Sequence, residues 1–75
     1  MEHLTKAGEV ARTVSGQIAE SGITVVRLCE KTGIPRTTMI RRLSGQSPFN
    51  LNELDRIAAA LRVDVDSLLT DRVAS

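Results

Sequence analysis

The sequence predicts an all-α fold, a compact bundle of five short helices. Three observations predict it. Apolar residues return every three or four positions in successive stretches, the spacing of a helix that buries one face. The apolar set is mainly Leu, Ile, Val and Ala, and Phe49 is its only aromatic member, a composition that favours packed helices over a β-sandwich. Glycines and the capping types Ser, Thr, Asn and Asp interrupt the chain at short intervals, as helix starts and stops require.

Taken in order, the series Leu4, Ala7, Val10, Ala11, Val14 and Ile18 predicts a first helix over about Leu4 to Glu20. Gly8 and Gly16 lie inside it and each weaken it by about 1 kcal/mol relative to Ala. Ser21 and Gly22 end it, with Gly22 suited to a left-handed cap. Ile23 offers a buried anchor. Thr24 then caps a second helix over about Val25 to Thr32, with Val25, Leu28 and Cys29 on one face and Gly33 as its stop. Pro35 cannot continue a helix but suits the start of one, which predicts a third helix over about Arg36 to Ser44, ended by Gly45. Gln46, Ser47 and Pro48 read as loop, and Phe49 as a plug for the core. Asn50 caps a fourth helix, and Glu53 three residues later completes a capping box. Its apolar stripe is Leu51, Leu54, Ile57, Ala58 and Leu61. Asp64 caps a short fifth helix that buries Val65, Leu68 and Leu69, and residues 70–75 have nothing to hold them.

A length of 75 residues allows one domain, expected over residues 1–75. A chain this short buries only roughly 60% of the surface that its unfolded form exposes, so the core is thin. Charge is unevenly placed. The formal net charge is +1, yet residues 24–45 hold Arg27, Lys31, Arg36, Arg41 and Arg42 against the single acid Glu30. Such focusing makes a local attractive field without a strongly basic chain. One cysteine, Cys29, allows no internal disulfide, so no oxidising compartment is needed. The start MEHLTKAGEV lacks the apolar core of a signal peptide, and the longest apolar run, Ile57 to Leu61, is far too short to span a membrane. The cytoplasm is the expected location.

Two short helices joined by a tight turn with Gly form a helix-turn-helix signature, here over about residues 24–44. Gly33 removes the Cβ where the chain reverses, and Cys29, four residues earlier, is small where the helices must meet. On the third helix Met39 and Leu43 are four apart and share a face, which points into the domain. Thr37, Arg41 and Ser44 lie opposite, Thr38 beside them, and Arg36 at the exposed N-terminal end. A helix showing Arg, Thr and Ser suits a major groove. There guanidinium groups bond guanine O6 and N7, and threonine bonds base edges or touches the thymine methyl. Remaining polar groups can hold phosphate, which positions the helix without reading sequence.

The stretch LCEKTGIPRTTMIRRLSG, followed by SPFNLNELDRIAAALRVDVDSLL, resembles the phage repressor and Cro family of helix-turn-helix domains. That resemblance implies a lambda repressor-like fold of five helices with the third as the recognition helix. It covers about residues 23–69 closely and the first helix more loosely. The sequence departs from the family pattern at four places. Cys29 stands where alanine is usual, and Val25 where a glutamine or similar residue often holds a phosphate. Pro35 replaces Ser or Gly, and Arg42 occupies a place often apolar, with Leu43 taking the core role.

Carried onto these positions, the resemblance implies base contacts from Arg36, Thr37 and Arg41, with Thr38 or Ile40 as additions. It implies phosphate contacts from Thr24, Arg27, Ser44, Gln46, Ser47 and the start of the fourth helix near Asn50 and Asn52. Arg42 has two readings, a phosphate contact and a salt bridge to an acid such as Glu53. The implied partner is double-stranded operator DNA, bound by a homodimer that represses transcription. Val65, Leu68 and Leu69 of the fifth helix are the expected dimer contact; the other reading is that they close the monomer's own core. A monomer would need further contacts from a second domain or a protein partner outside this chain.

Other classes fit the sequence poorly. No glycine-rich loop ends in Gly-Lys-Ser or Gly-Lys-Thr, and no Ser or Cys has a histidine plausibly placed to activate it. One Cys and one His cannot assemble a zinc site within the chain, and no cofactor is expected. Readers of RNA or single strands stack bases on exposed aromatics, and the one Phe sits at a core position. The rival reading is an antitoxin or other protein-binding module on the same fold, with Glu53, Asp55, Asp64 and Asp66 facing a partner.

Overall fold

A computed structural model of the chain describes residues 6–69. Within them lie α1 (Lys6–Ser21), α2 (Val25–Thr32), α3 (Arg36–Leu43), α4 (Leu51–Leu61) and α5 (Asp66–Leu69), with no strand. Leu4, expected in the first helix, and the tail over 70–75 lie outside the described residues. The boundaries of α2 and α3 fall where the caps predict, with Ser44 as the C-cap of α3 rather than its last residue.

Each helix supplies one fully buried side chain: Val14, Leu28, Met39, Ile57 and Leu68. These five meet in one core with Ile18, Cys29, Ile34, Leu54, Ala58 and Leu61. The longest helix, α1, packs on α5, α3 and α4, while α2 packs on α4 and α3. Buried polar side chains are all satisfied among the described residues; Thr13, for example, donates to the Glu9 carbonyl at 3.0 Å.

Periodicity placed some residues too deep. Leu43 and Phe49 pack against the core but are only half-buried. Leu51, at the first turn of α4, is 67% exposed. At α5 the residues expected at a dimer contact differ in exposure. Leu68 is 0% exposed within its own bundle, where it closes the core. Leu69 lies on the surface, and Val65 is half-buried against the core. Asp64 serves α5 through its carbonyl, which accepts the Ser67 N–H at 2.9 Å.

Two ends show how the chain closes its helices. After α3, Gly45 adopts a left-handed φ of 84°. The Gly45 N–H donates to the Arg42 carbonyl and the Gln46 N–H to the Arg41 carbonyl, each at 3.1 Å, the paired bonds of a Schellman cap. A Cβ on Gly45 would also stand 3.4 Å from Gly8 Cα of α1. The turn therefore rests on α1 where Gly8 presents no side chain. After α4 the same pair of bonds forms, Arg62 to Ala59 and Val63 to Ala58. Arg62 takes the left-handed position with φ 61°, a conformation that costs a non-glycine residue roughly 1–2 kcal/mol.

Candidate nucleic-acid interface

The turn between α2 and α3 is built from three local devices. Gly33 ends α2 with φ 77°, and its N–H donates to the Cys29 carbonyl at 2.8 Å. Thr32, buried, donates its hydroxyl to the Leu28 carbonyl at 2.8 Å and accepts the Ile34 N–H at 3.3 Å. Ile34 is thereby turned inward, 3% exposed. Pro35 then sets φ −60° and ψ 146°, and its carbonyl accepts the Met39 N–H at 2.9 Å to open α3. Thr32 was not singled out from the sequence, because a threonine in the last turn of a helix has no local signature. Its two-sided bonding exists only once Gly33 has reversed the chain.

These constraints, with Met39 fully buried, fix the rotation of α3 about its axis. Arg36, Thr37, Ile40, Arg41 and Ser44 are exposed, and Thr38 is half-buried at the flank. Among the described residues no ion pair holds Arg36 or Arg41, whose guanidinium groups stand open to a ligand. Ser44 donates its hydroxyl to the Arg41 carbonyl at 3.0 Å, which leaves its oxygen free to accept but engages its proton.

Arg42 is held differently. Its Nε donates to Glu53 Oε1 at 2.9 Å and its Nη2 to Glu53 Oε2 at 3.2 Å, a two-pronged pair, while Nη1 donates to Ser47 Oγ at 2.7 Å. The same Glu53 Oε1 accepts the Asn50 N–H at 3.0 Å, and Asn50 Oδ1 accepts the Glu53 N–H at 2.8 Å. That is the expected capping box, now joined to α3. Of the two readings of Arg42, the structure contains the salt bridge. The fork ties α3 to the start of α4 and to Ser47 in the loop between them, so it sets where those elements stand relative to the exposed face. Its link to Ser47 could not be read from the sequence, since it depends on the left-handed turn at Gly45.

The pair makes stability depend on pH. The Arg42 guanidinium beside Glu53, with the Asn50 N–H, holds the Glu53 carboxyl below its ordinary value of 4.5, against the opposing effect of burial. A carboxyl depressed on folding stabilises the fold above its unfolded value and loses that contribution as pH falls through its folded value. The melting temperature is therefore expected to fall as pH drops below about 4.5. Glu53→Gln should melt lower than the wild type at pH 7 and fall less between pH 5 and 3. Parallel loss in both proteins, followed by circular dichroism, would refute the role given to this pair.

The remaining candidates lie on other elements. Thr24 caps α2 by accepting the Arg27 N–H at 3.1 Å, so its hydroxyl proton is still available. Arg27, Gln46, Asn50 and Asn52 are exposed, and Ser47 is half-buried with its oxygen accepting from Arg42. The first N–H groups of α4, at Leu51 and Asn52, begin a capped helix of 11 residues, and such ends favour anions.

A family profile described as the Cro/C1-type HTH DNA-binding domain matches residues 14–72, more than half of the chain. The chain belongs to that family. A Cro/C1-type domain binds DNA, and in this one the match takes in α2 through α5 and the second half of α1. No curated protein matches the chain. Among the described residues no helix is long and apolar enough to cross a membrane, and no cluster of His, Cys, Asp or Glu could hold a metal ion. Cys29 of this Cro/C1-type domain is buried, and that burial pushes its thiol pKa up, which suits a packing residue rather than a nucleophile.

Proposed function

We propose that this Cro/C1-type domain is a sequence-specific repressor of phage type, which works in the cytoplasm by covering a promoter. In this reading α3 enters the major groove. Arg36 and Arg41 bond guanine edges, and Thr37 and Thr38 touch the neighbouring pairs. Thr24, Arg27, Ser44, Gln46, Ser47, Asn50 and Asn52 hold backbone phosphates and fix the register. Arg42 orients rather than reads: three of its donors are already engaged. Two copies bind two half-sites about one helical turn apart, paired through the α5 end where Leu69 is exposed.

One observation carries the proposal. The outer side of α3 is open, with Arg41 on the face turned away from Met39 and Arg36 exposed at the N-terminal end, and neither arginine has an ion-pair partner among the described residues. Selection of bound sequences from random duplex DNA tests it. The selected duplex should bind ~10³-fold or more tightly than a scrambled one. With about five phosphates neutralised per copy, log K should fall with log salt at a slope of about −4 to −5 per copy. Equal affinity for selected and scrambled duplexes would leave only non-specific binding and end the proposal.

A further inference from the structure

We infer that Ile40 reads the 5-methyl group of a pyrimidine in the major groove, an inference that rests on the proposed placement of α3. Ile40 is 54% exposed. It lies one turn from Arg36 and from Ser44 and three residues from Thr37, all of them exposed, and residues so spaced share a helix face. Core packing does not account for an isoleucine there. Helix formation does not either, because β-branched residues form helices less readily than Ala, Leu or Arg.

The composition of α3 supplies the second argument. RTTMIRRL has arginines for guanine but no Asn or Gln to grip adenine through N6 and N7, and no carboxylate to accept from cytosine N4. An A·T pair offers this face one feature that an apolar side chain can discriminate, the thymine methyl. Ile40 is the one large apolar side chain among the exposed residues of α3, and the exposed Arg36 and Arg41 of the same helix would hold it over the groove. The half-site should therefore pair guanines with a neighbouring thymine. Isoleucine has no donor or acceptor, so it cannot tell the O4 of thymine from the N4 of cytosine. A 5-methylcytosine at the same place presents the same group.

The experiment uses the full chain and its selected duplex. Each thymine is replaced singly by deoxyuridine, which lacks only the methyl, and Kd is measured for wild type and Ile40→Ala. At one thymine per half-site the wild type should weaken about fourfold, the equivalent of ~0.8 kcal/mol for one methyl-sized group. Ile40→Ala should be weaker on the thymine duplex and indifferent to deoxyuridine there. Placed at that position opposite guanine, 5-methylcytosine should bind the wild type about fourfold more tightly than cytosine, and Ile40→Ala about equally. Ile40 is exposed, so the variant should melt close to the wild type, and a melting curve checks this. If the wild type discriminates among duplexes but no methyl effect depends on Ile40, the inference fails and the repressor reading stands. If the wild type prefers no duplex, both fail together.

Discussion

Met39→Ala should lower the melting temperature by about 10 °C or more and leave much of the protein unfolded near 37 °C. Met39 is 0% exposed and is the fully buried side chain that α3 contributes to the core. Truncating a buried Met to Ala costs about 2–5 kcal/mol, part lost transfer energy and part cavity. A small domain has little to spare, since total stabilities are about 5–15 kcal/mol and short chains bury the least surface. In a domain of this size each kcal/mol moves the midpoint by about 4–8 °C. Met39→Leu keeps most of the volume and should cost less than about 1.5 kcal/mol. DNA affinity should follow the same order, because Met39 seats the helix that carries the outer face. A thermal melt of Met39→Ala within 3 °C of the wild type, or Met39→Leu as damaging as the alanine variant, would show that α3 is held some other way.

The contrast between Met39 and Leu43 marks how far the sequence could be read. Their four-residue spacing identifies the inner face of α3, and the structure places both on it, yet one is fully buried and the other half-buried. Period gives direction, whereas coverage depends on what lies beyond the helix end. Leu43 is followed at once by the Gly45 turn, and Leu51 and Leu69 lie at the ends of their helices, where the bundle thins. Caps were more legible, because Thr24, Gly33, Asn50 and Glu53 act on backbone groups a few residues away. The contacts that set the site are of the opposite kind. Arg42 meets Glu53 eleven positions later and Ser47 across a left-handed turn. Thr32 bonds on both sides of a chain reversal. No local pattern encodes such pairs. The outer face of α3 was legible for the same reason as its inner one, whereas what each outer residue touches depends on a DNA geometry that the chain does not contain.

Arg41→Ala is expected to cost ~1–3 kcal/mol in binding, roughly a 5- to 150-fold rise in Kd, and to relax preference at one base pair of each half-site. The side chain is exposed on the face opposite Met39, and its guanidinium has no ion-pair partner among the described residues. Its removal therefore breaks no fold contact of that kind, and the melting temperature should stay near that of the wild type. The backbone of Arg41 does structural work that the substitution keeps, since its carbonyl accepts from Gln46 N–H and Ser44 Oγ whatever the side chain. Arg27→Ala is the informative comparison. Arg27 is exposed at the start of α2, a position proposed to meet phosphate. Its loss should weaken all duplexes alike and make the salt slope shallower by about 1 per copy. Arg41→Ala should instead weaken the selected duplex far more than scrambled DNA. Equal losses on both duplexes would demote Arg41 from a base reader to one more phosphate contact, and the specificity of this domain would then have to come from Arg36, Thr37 and Ile40.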